Sequence, residues 1–200
     1  MRKLLFFIFI LSSHGAMAQK MPDYGLYNIH ISDSARIIRT QVNPVSGTVS
    51  TRPGLLYYWF GSNAIHEQQG GFSGKLLSGI YEESDRSHHL IMQGGFKAGL
   101  KDGTWKTWNE AARLSSIITW NEGVKTGKFA YYDAGGNETQ SGRYDHDQLD
   151  GKITYHAATD SVKTILYKNG KIVPAKNGSF LKRINIFKKK ATGNPQPKTP

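Results

Sequence analysis

The sequence predicts an all-β protein: an elongated antiparallel meander of β-hairpin repeats, with an N-terminal capping hairpin and a short basic C-terminal tail. Three series of residues support this prediction, because each recurs every 24 residues through four copies. The first series is glycine, at Gly79, Gly103, Gly127 and Gly151. The second series follows two places later and consists of Tyr81, Trp105, Phe129 and Ile153. The third series consists of Phe72, Phe96, Trp120 and Tyr144.

Each unit is predicted to contain two short strands and two turns. The unit that begins at Gly103 runs to a polar turn at Asn109-Glu110, continues through an apolar segment to Trp120, and turns again at Glu122-Gly123. Aromatic and β-branched residues bounded by Gly, Asn and Asp are strand and hairpin signals. A helix is disfavoured, because a glycine in each helix interior would cost about 1 kcal/mol relative to alanine.

The spacing of the two tryptophans in this unit leaves one question open. Trp105 and Trp108 are three residues apart, so in a regular strand their side chains point to opposite faces of the sheet. The sequence therefore predicts either a sheet that is covered on both faces or a strand that is kinked by a bulge.

The ends of the array are predicted from local patterns. Residues 27–31 alternate in polarity, Asp33-Ser34 is a turn, and residues 35–42 form a second strand, so residues 19–53 are expected to be a hairpin that caps the array. The array itself is expected over residues 54–173. Its first strand, residues 54–59, lies one residue out of register, and its last half unit ends at the turn Asn169-Gly170.

Residues 1–18 have the features of a secretory signal peptide. Arg2 and Lys3 precede an apolar run over residues 4–11, and Ala16-Met17-Ala18 supplies small residues before the expected cleavage site. The run is too short to span a membrane, which needs roughly 20 residues. The chain contains no cysteine, which excludes disulfides and thiolate metal sites. We expect an exported bacterial protein, periplasmic or outer-membrane-associated, with an extracellular location as a further option.

The positive charge of the chain is concentrated at its C-terminal end. The net charge is +11, yet residues 19–160 contain 14 basic and 15 acidic residues, whereas residues 161–200 contain ten basic and no acidic residues. The basic tail, residues 174–200, is predicted to be partly disordered, and its apolar residues suit either a basic amphipathic helix on an anionic membrane or a closing strand. The candidate residues for surface attachment are Lys182, Arg183, Lys188, Lys189 and Lys190.

The repeat resembles the bacterial variant of the MORN repeat, in which Gly-x-aromatic-x-x-aromatic is followed by a turn and by aromatic-x-x-Gly-x-x-x-Gly. One copy is carried by Gly103, Trp105, Trp108, Trp120, Gly123 and Gly127, and the next by Gly127, Phe129, Tyr132, Tyr144 and Gly151. The resemblance covers about residues 72–173, with Asp147 at one glycine position and His156 at one aromatic position. It implies an elongated meander of hairpins that serves as an interaction scaffold.

Two interpretations of the aromatic residues are open. These side chains fill the packed face of the sheet, where each contributes a few kcal/mol through burial, or some of them form an exposed ladder that binds a peptide, a glycan or a partner strand. The candidate partner-binding residues are Trp108, Trp120, Tyr131 and Tyr132.

No residues point to catalysis, a cofactor or a metal. Gly-x-Ser-x-Gly is absent from the sequence, and Asp145-His146-Asp147 coincides with a predicted turn, where Asp is favoured for its hydrogen bonds to the backbone. The sequence thus predicts a non-catalytic repeat protein that binds or scaffolds an envelope protein. The alternative is a membrane-surface protein that binds anionic lipid or glycolipid through its basic tail. Nucleic acid is not an expected partner.

Overall fold

The computed structural model describes residues 25–44, 49–157 and 161–174. These residues form fourteen antiparallel strands and, within the described ranges, no helix, which confirms the predicted all-β meander. The predicted signal peptide and nearly all of the basic tail lie outside the described residues. The strands are β1 (Tyr27–Ser32), β2 (Arg36–Val42), β3 (Leu56–Gly61), β4 (Ala64–Gln69), β5 (Lys75–Asp85), β6 (Leu90–Lys97), β7 (Leu100–Trp108), β8 (Leu114–Asn121), β9 (Val124–Tyr132), β10 (Glu138–Asp145), β11 (Gln148–Leu149), β12 (Gly151–His156), β13 (Val162–Lys168) and β14 (Lys171–Ile172).

Two-residue turns form one edge of the meander. They consist of Ala98-Gly99, Glu122-Gly123, His146-Asp147 and Asn169-Gly170, and both residues of each have a positive φ, as type I′ hairpin turns require. The N–H of each second residue donates to a carbonyl of the preceding unit, for example Gly123 N to Lys101 O at 2.8 Å and Asp147 N to Lys125 O at 3.0 Å. Asp147 therefore keeps the conformation of the glycine that it replaces.

Five-residue turns form the opposite edge. They run from Asp85 to His89, from Asn109 to Arg113 and from Asp133 to Asn137. In each turn the side-chain Oδ1 of the first residue accepts a hydrogen bond from the N–H of the fifth, at 2.8 to 3.0 Å. These short polar side chains stabilise the turns locally, which explains why Asp or Asn recurs there.

The glycine series marks a bulge that is repeated in every unit. The four glycines have φ between 75° and 86°. At Gly79, Gly103 and Gly127, three residues of one strand oppose a single residue of its neighbour; residues 103–105, for instance, oppose Gly94. Gly151 lies in the corresponding irregularity between the pairings of β11 and β12 with β10. A Cβ on Gly103 would meet no atom within 4 Å, so glycine is needed there for its backbone conformation. The strand is therefore bulged, as one of the two alternatives predicted, but the bulge precedes Trp105 and leaves Trp105 and Trp108 on opposite faces.

The second series forms the buried core along one face of the sheet, here called face A. Tyr81, Trp105, Phe129 and Ile153 have between 0% and 7% of their surface exposed. On the first half of face A, the β3–β4 hairpin covers the core: the ring centroids of Tyr58 and Phe96 are 5.0 Å apart. The opposite face is called face B.

On the second half of face A, large side chains are buried by lying across a glycine of the neighbouring strand. A Cβ on Gly142 would lie 2.4 Å from Cδ1 of Ile153 and 3.3 Å from the ring of Phe129. Gly94 makes room for Trp105 in the same way, because a Cβ on Gly94 would lie 2.3 Å from Cδ2 of the indole. Strands of one sheet are only about 4.8 Å apart, so a large side chain can lie across the neighbouring strand where that strand has a glycine. Such side chains are buried within a single layer.

At the start of the array, the strand that pairs along most of β5 is β2 from the N-terminal hairpin, from Arg36↔Asp85 to Val42↔Leu77. The β3–β4 hairpin pairs only with the beginning of β5, through Leu76 and Lys75. The bulge at Gly79 separates these two pairings within one long strand. Both β2 and β3 have strand-forming residues, and their residue types alone do not show which of them pairs along β5.

Candidate functional site

The four aromatic residues predicted to bind a partner are divided between the two faces. Trp120 and Tyr131 lie on face A, since Trp120 packs against the core cluster and Tyr131 lies beside Phe129, with centroids 5.4 Å apart. Trp108 and Tyr132 lie on face B, because successive residues of a strand alternate between faces. The structure thus divides the four residues between the two faces, two on each, and they do not form one ladder.

Two lysines are held between the rings of face A. Nζ of Lys101 lies 4.4 Å from the ring centroid of Trp105, 5.4 Å from that of Trp120 and 5.5 Å from that of Tyr58. Nζ of Lys125, one unit later, lies 5.6 Å from the centroid of Trp120. These distances suit cation–π attraction. Burial lowers the pKa of Lys101, although the nearby Glu67 opposes the effect.

Half-buried aromatic side chains continue along face A beyond β7. We call this set the aromatic strip; it consists of Trp120, Tyr131, Tyr144, Tyr155 and Tyr167. The phenol oxygens pair, with Tyr131 3.3 Å from Tyr144 and Tyr155 3.1 Å from Tyr167. Burial raises the pKa of Tyr144, and the hydrogen bond with Tyr167 together with partial burial raises the pKa of Tyr155 to about 12. The phenols of Tyr144 and Tyr155 are therefore neutral at physiological pH.

The β3–β4 hairpin reaches as far as the turn that precedes β7, where Tyr58 N donates to Gly99 O at 2.7 Å. The strip begins on β8. The sequence predicted Trp120 and Tyr131 as partner-binding candidates, placed Tyr144 only in the third repeat series, and did not single out Tyr155 and Tyr167. Tyr155 stands one full period after Tyr131, so extending that series by one copy would have found it.

The turn at Asp145-His146-Asp147, with Asp150 shortly after it, has no metal-binding geometry. Each side chain has a separate partner: His146 Nδ1 lies 2.7 Å from Asp145 Oδ1, Asp147 Oδ1 accepts from Lys125 N at 2.9 Å, and Asp150 pairs with Lys168 at 2.9 Å. Across the described ranges, no three His, Asp or Glu side chains are placed to share an ion. The candidate surface-attachment residues Lys182, Arg183, Lys188, Lys189 and Lys190 lie outside those ranges.

These features define a class of protein: an all-β repeat protein that consists of one open, bulged sheet with a single hairpin packed on one face. Within the described residues there is no helix long and apolar enough to cross a membrane. Comparisons of the chain with protein-family models, with curated proteins and with solved structures give no match. The relation to the MORN variant stays a prediction from the repeat pattern.

Proposed function

We propose that the chain is an exported, non-catalytic repeat protein of the MORN-variant type, which binds or scaffolds a partner protein in the bacterial cell envelope. The observation that supports this proposal is the aromatic strip. It continues the core face of the sheet past the end of the covering hairpin, so its rings are held in place without being fully buried.

The composition of the strip suits a protein interface. Tyr and Trp are enriched at the centres of interfaces, because each offers a large apolar area together with a polar tip. The rings are already positioned by Phe129, whose centroid lies 4.4 Å from that of Tyr144, and by the paired hydroxyls. A partner would therefore lose little side-chain entropy on binding.

The chemistry of the strip supports binding and not catalysis. The hydroxyls of Tyr144 and Tyr155 stay protonated, since burial and hydrogen bonding raise their pKa values. Neutral phenols donate and accept hydrogen bonds but are weak nucleophiles and bases. They would contribute orientation to an interface whose affinity comes from the rings.

Site-specific photo-crosslinking in growing cells tests the proposal. A photoreactive phenylalanine analogue replaces Tyr155 in the full-length chain, and a second strain carries it at Tyr167, its hydrogen-bonded neighbour. The matched control carries the analogue at Leu166, which is 46% exposed and precedes Tyr167 on the same strand but points to face B.

We expect a discrete protein adduct in the envelope fraction from positions 155 and 167, and none of that size from position 166. Adducts of equal yield from all three positions would show that face A is not the interface. Absence of protein adducts from both tyrosine positions would reject the proposal.

A further inference from the structure

Face B carries a groove of about 590 Å³ that crosses five strands of the sheet. It runs from Thr104 on β7, through β8, β9 and β10, to Lys152 and Thr154 on β12. Since neighbouring strands are about 4.8 Å apart, the groove extends roughly 19 Å across the strands. It is an open trough on the face opposite the aromatic strip, so it can hold an extended molecule that lies along the direction of the array.

Three exposed cations line this groove on consecutive strands. Lys128 and Arg143 are directly opposed across β9 and β10, and Lys152 lies on β12, the next strand of the sheet. None of the three forms an ion pair with another described residue. Like charges that face each other across a strand pair destabilise the sheet. The three cations therefore lower the stability of the folded sheet, and a bound anionic ligand would relieve their repulsion.

The rest of the lining combines small hydroxyl side chains with the apolar side chains of Ile117 and Ala130. Thr104, Ser141 and Thr154 have hydroxyls without a side-chain hydrogen-bond partner among the described residues. The carboxylate that lines the groove, Glu138, lies 3.4 Å from His156 Nε2 at one side. Such hydroxyls can exchange hydrogen bonds with a polyhydroxylated ligand, whereas an apolar ligand would leave them unsatisfied.

We propose that this groove binds an acidic glycan, a sugar polymer that carries carboxylate or sulfate groups on successive residues. The anionic groups contact Lys128, Arg143 and Lys152, and the sugar hydroxyls contact the Ser and Thr side chains. The site goes beyond the protein-binding function proposed for face A, since it uses different residues on the other side of the sheet.

Two other occupants fit the groove less well. The chain's own residues 175–200 contain no acidic side chain, so they would add repulsion to a basic groove. Single-stranded nucleic acid requires aromatic rings on which bases stack. The aromatic lining residue, Phe129, is 3% exposed and has its ring packed on face A against Tyr131 and Tyr144.

Calorimetric titration of the full mature chain tests the proposal. The probes are oligogalacturonate and a heparin-derived oligosaccharide, with neutral dextran and oligothymidylate as comparisons. Lys128→Gln with Arg143→Gln removes two groove cations. The matched control, Lys163→Gln with Lys171→Gln, makes the same change in net charge at exposed lysines outside the groove. The basic tail is identical in all three proteins, so its own attraction to polyanions cancels.

We expect at least one acidic oligosaccharide to bind, with about tenfold weaker binding to the groove variant, and an affinity that falls as salt increases. The control pair should stay within about twofold of the parent chain, since exposed charges away from the ligand contribute little. Equal weakening in both variants, or binding of neither acidic oligosaccharide, would overturn the proposal. Tighter binding of oligothymidylate would instead identify a nucleic-acid groove, and equal binding of dextran would exclude a role for charge.

The groove variant is expected to fold, because it relieves repulsion between two opposed cations. Its melting temperature at low ionic strength should equal or exceed that of the parent chain. A lower melting temperature would show that Lys128 and Arg143 support the fold, which would remove the argument for a ligand.

Discussion

Positive φ angles occur at equivalent positions of successive units even where the residue type differs. The fourth position of the five-residue turns is His88, Ala112 or Gly136, with φ of 66°, 54° and 89°. A left-handed conformation costs residues with a Cβ roughly 1–2 kcal/mol and costs glycine almost nothing. Two of the three turns therefore contain backbone strain that the third avoids.

This difference predicts a reciprocal pair of substitutions. Ala112→Gly should raise the free energy of unfolding by about 1 kcal/mol, and Gly136→Ala should lower it by about the same amount. Both positions are exposed, and a Cβ on Gly136 would meet no atom within 4 Å, so packing does not contribute. Urea unfolding measures both changes. Shifts of the same sign would contradict the strain argument.

The paired tyrosines predict a loss of stability in alkali. The folded-state pKa of Tyr155 is about 12 against an ordinary value of 10.0, so its contribution is complete below about pH 10 and is lost as pH rises through about 12. Burial lowers the pKa of Lys101, which acts in the opposite direction, adding stability as pH rises. Comparison of the parent chain with a single variant cancels this second effect.

In the Tyr167→Phe variant, Tyr155 loses its hydrogen-bond partner, so its pKa should fall toward 10.0. The free energy of unfolding should then decline less steeply between pH 10 and 12 than in the parent chain. Urea unfolding across this range and the absorbance of tyrosinate measure the two effects. Identical slopes in the two proteins would show that the hydroxyl pair does not form.

Strands of this sheet are packed by the fit between a large side chain and a neighbouring glycine. The sequence predicted the strands, the turns and the buried second series, because those depend on residue type and period alone. It did not predict that Gly94 and Gly142 make room for Trp105 and Ile153. That relation joins residues 11 apart on different strands, and it depends on a register that the bulges set.

Adjacent glycines allow this packing to be tested. A Cβ on Gly94 would lie 2.3 Å from Cδ2 of Trp105, whereas the nearest atom to a Cβ on Gly95 is a backbone oxygen at 3.3 Å. Gly94→Ala should lower the free energy of unfolding by about 1–3 kcal/mol, as overpacking does. Gly95→Ala should have a clearly smaller effect. Urea unfolding of both variants is the measurement, and equal losses would show that the close approach of Trp105 is not what requires glycine.

The candidate site was predictable only in part. Trp120 and Tyr131 were found because aromatic residues at a fixed period are conspicuous. Their separation from Trp108 and Tyr132 follows from strand parity, which a bulge can reset at any unit. The groove on face B had only a partial sequence signal: Lys128 and Lys152 are one 24-residue period apart, but Arg143 occupies another position of the unit, and the three meet only through the pairing of β9, β10 and β12.

Successive units interact mainly with their immediate neighbours. The turn hydrogen bonds reach back one unit, and each bulge pairs with the adjoining strand. Stability in such an array is a sum of unit terms and interface terms between neighbours. The fold of each unit therefore does not depend on how many units the array contains.

Duplication of residues 103–126 after Thr126 should give a longer folded protein, because every inserted residue keeps its place in the 24-residue period. The denaturant m-value should rise with the additional buried surface. The control duplicates residues 103–125, one residue fewer, which would turn each following side chain to the wrong face. That protein should unfold at lower urea concentration or aggregate. Equal stability of the two insertions would contradict a fixed period.

A layer that buries its largest residues against its own glycines needs no second layer beyond the β3–β4 hairpin. Most side chains of face B and of the second half of face A are consequently not needed to pack against a second layer. Substitutions at exposed positions of one face can accumulate without touching the residues of the other, although those in the tyrosine pairs cost stability. A scaffold of this kind can acquire two binding specificities separately, one on each side of a single thickness of backbone.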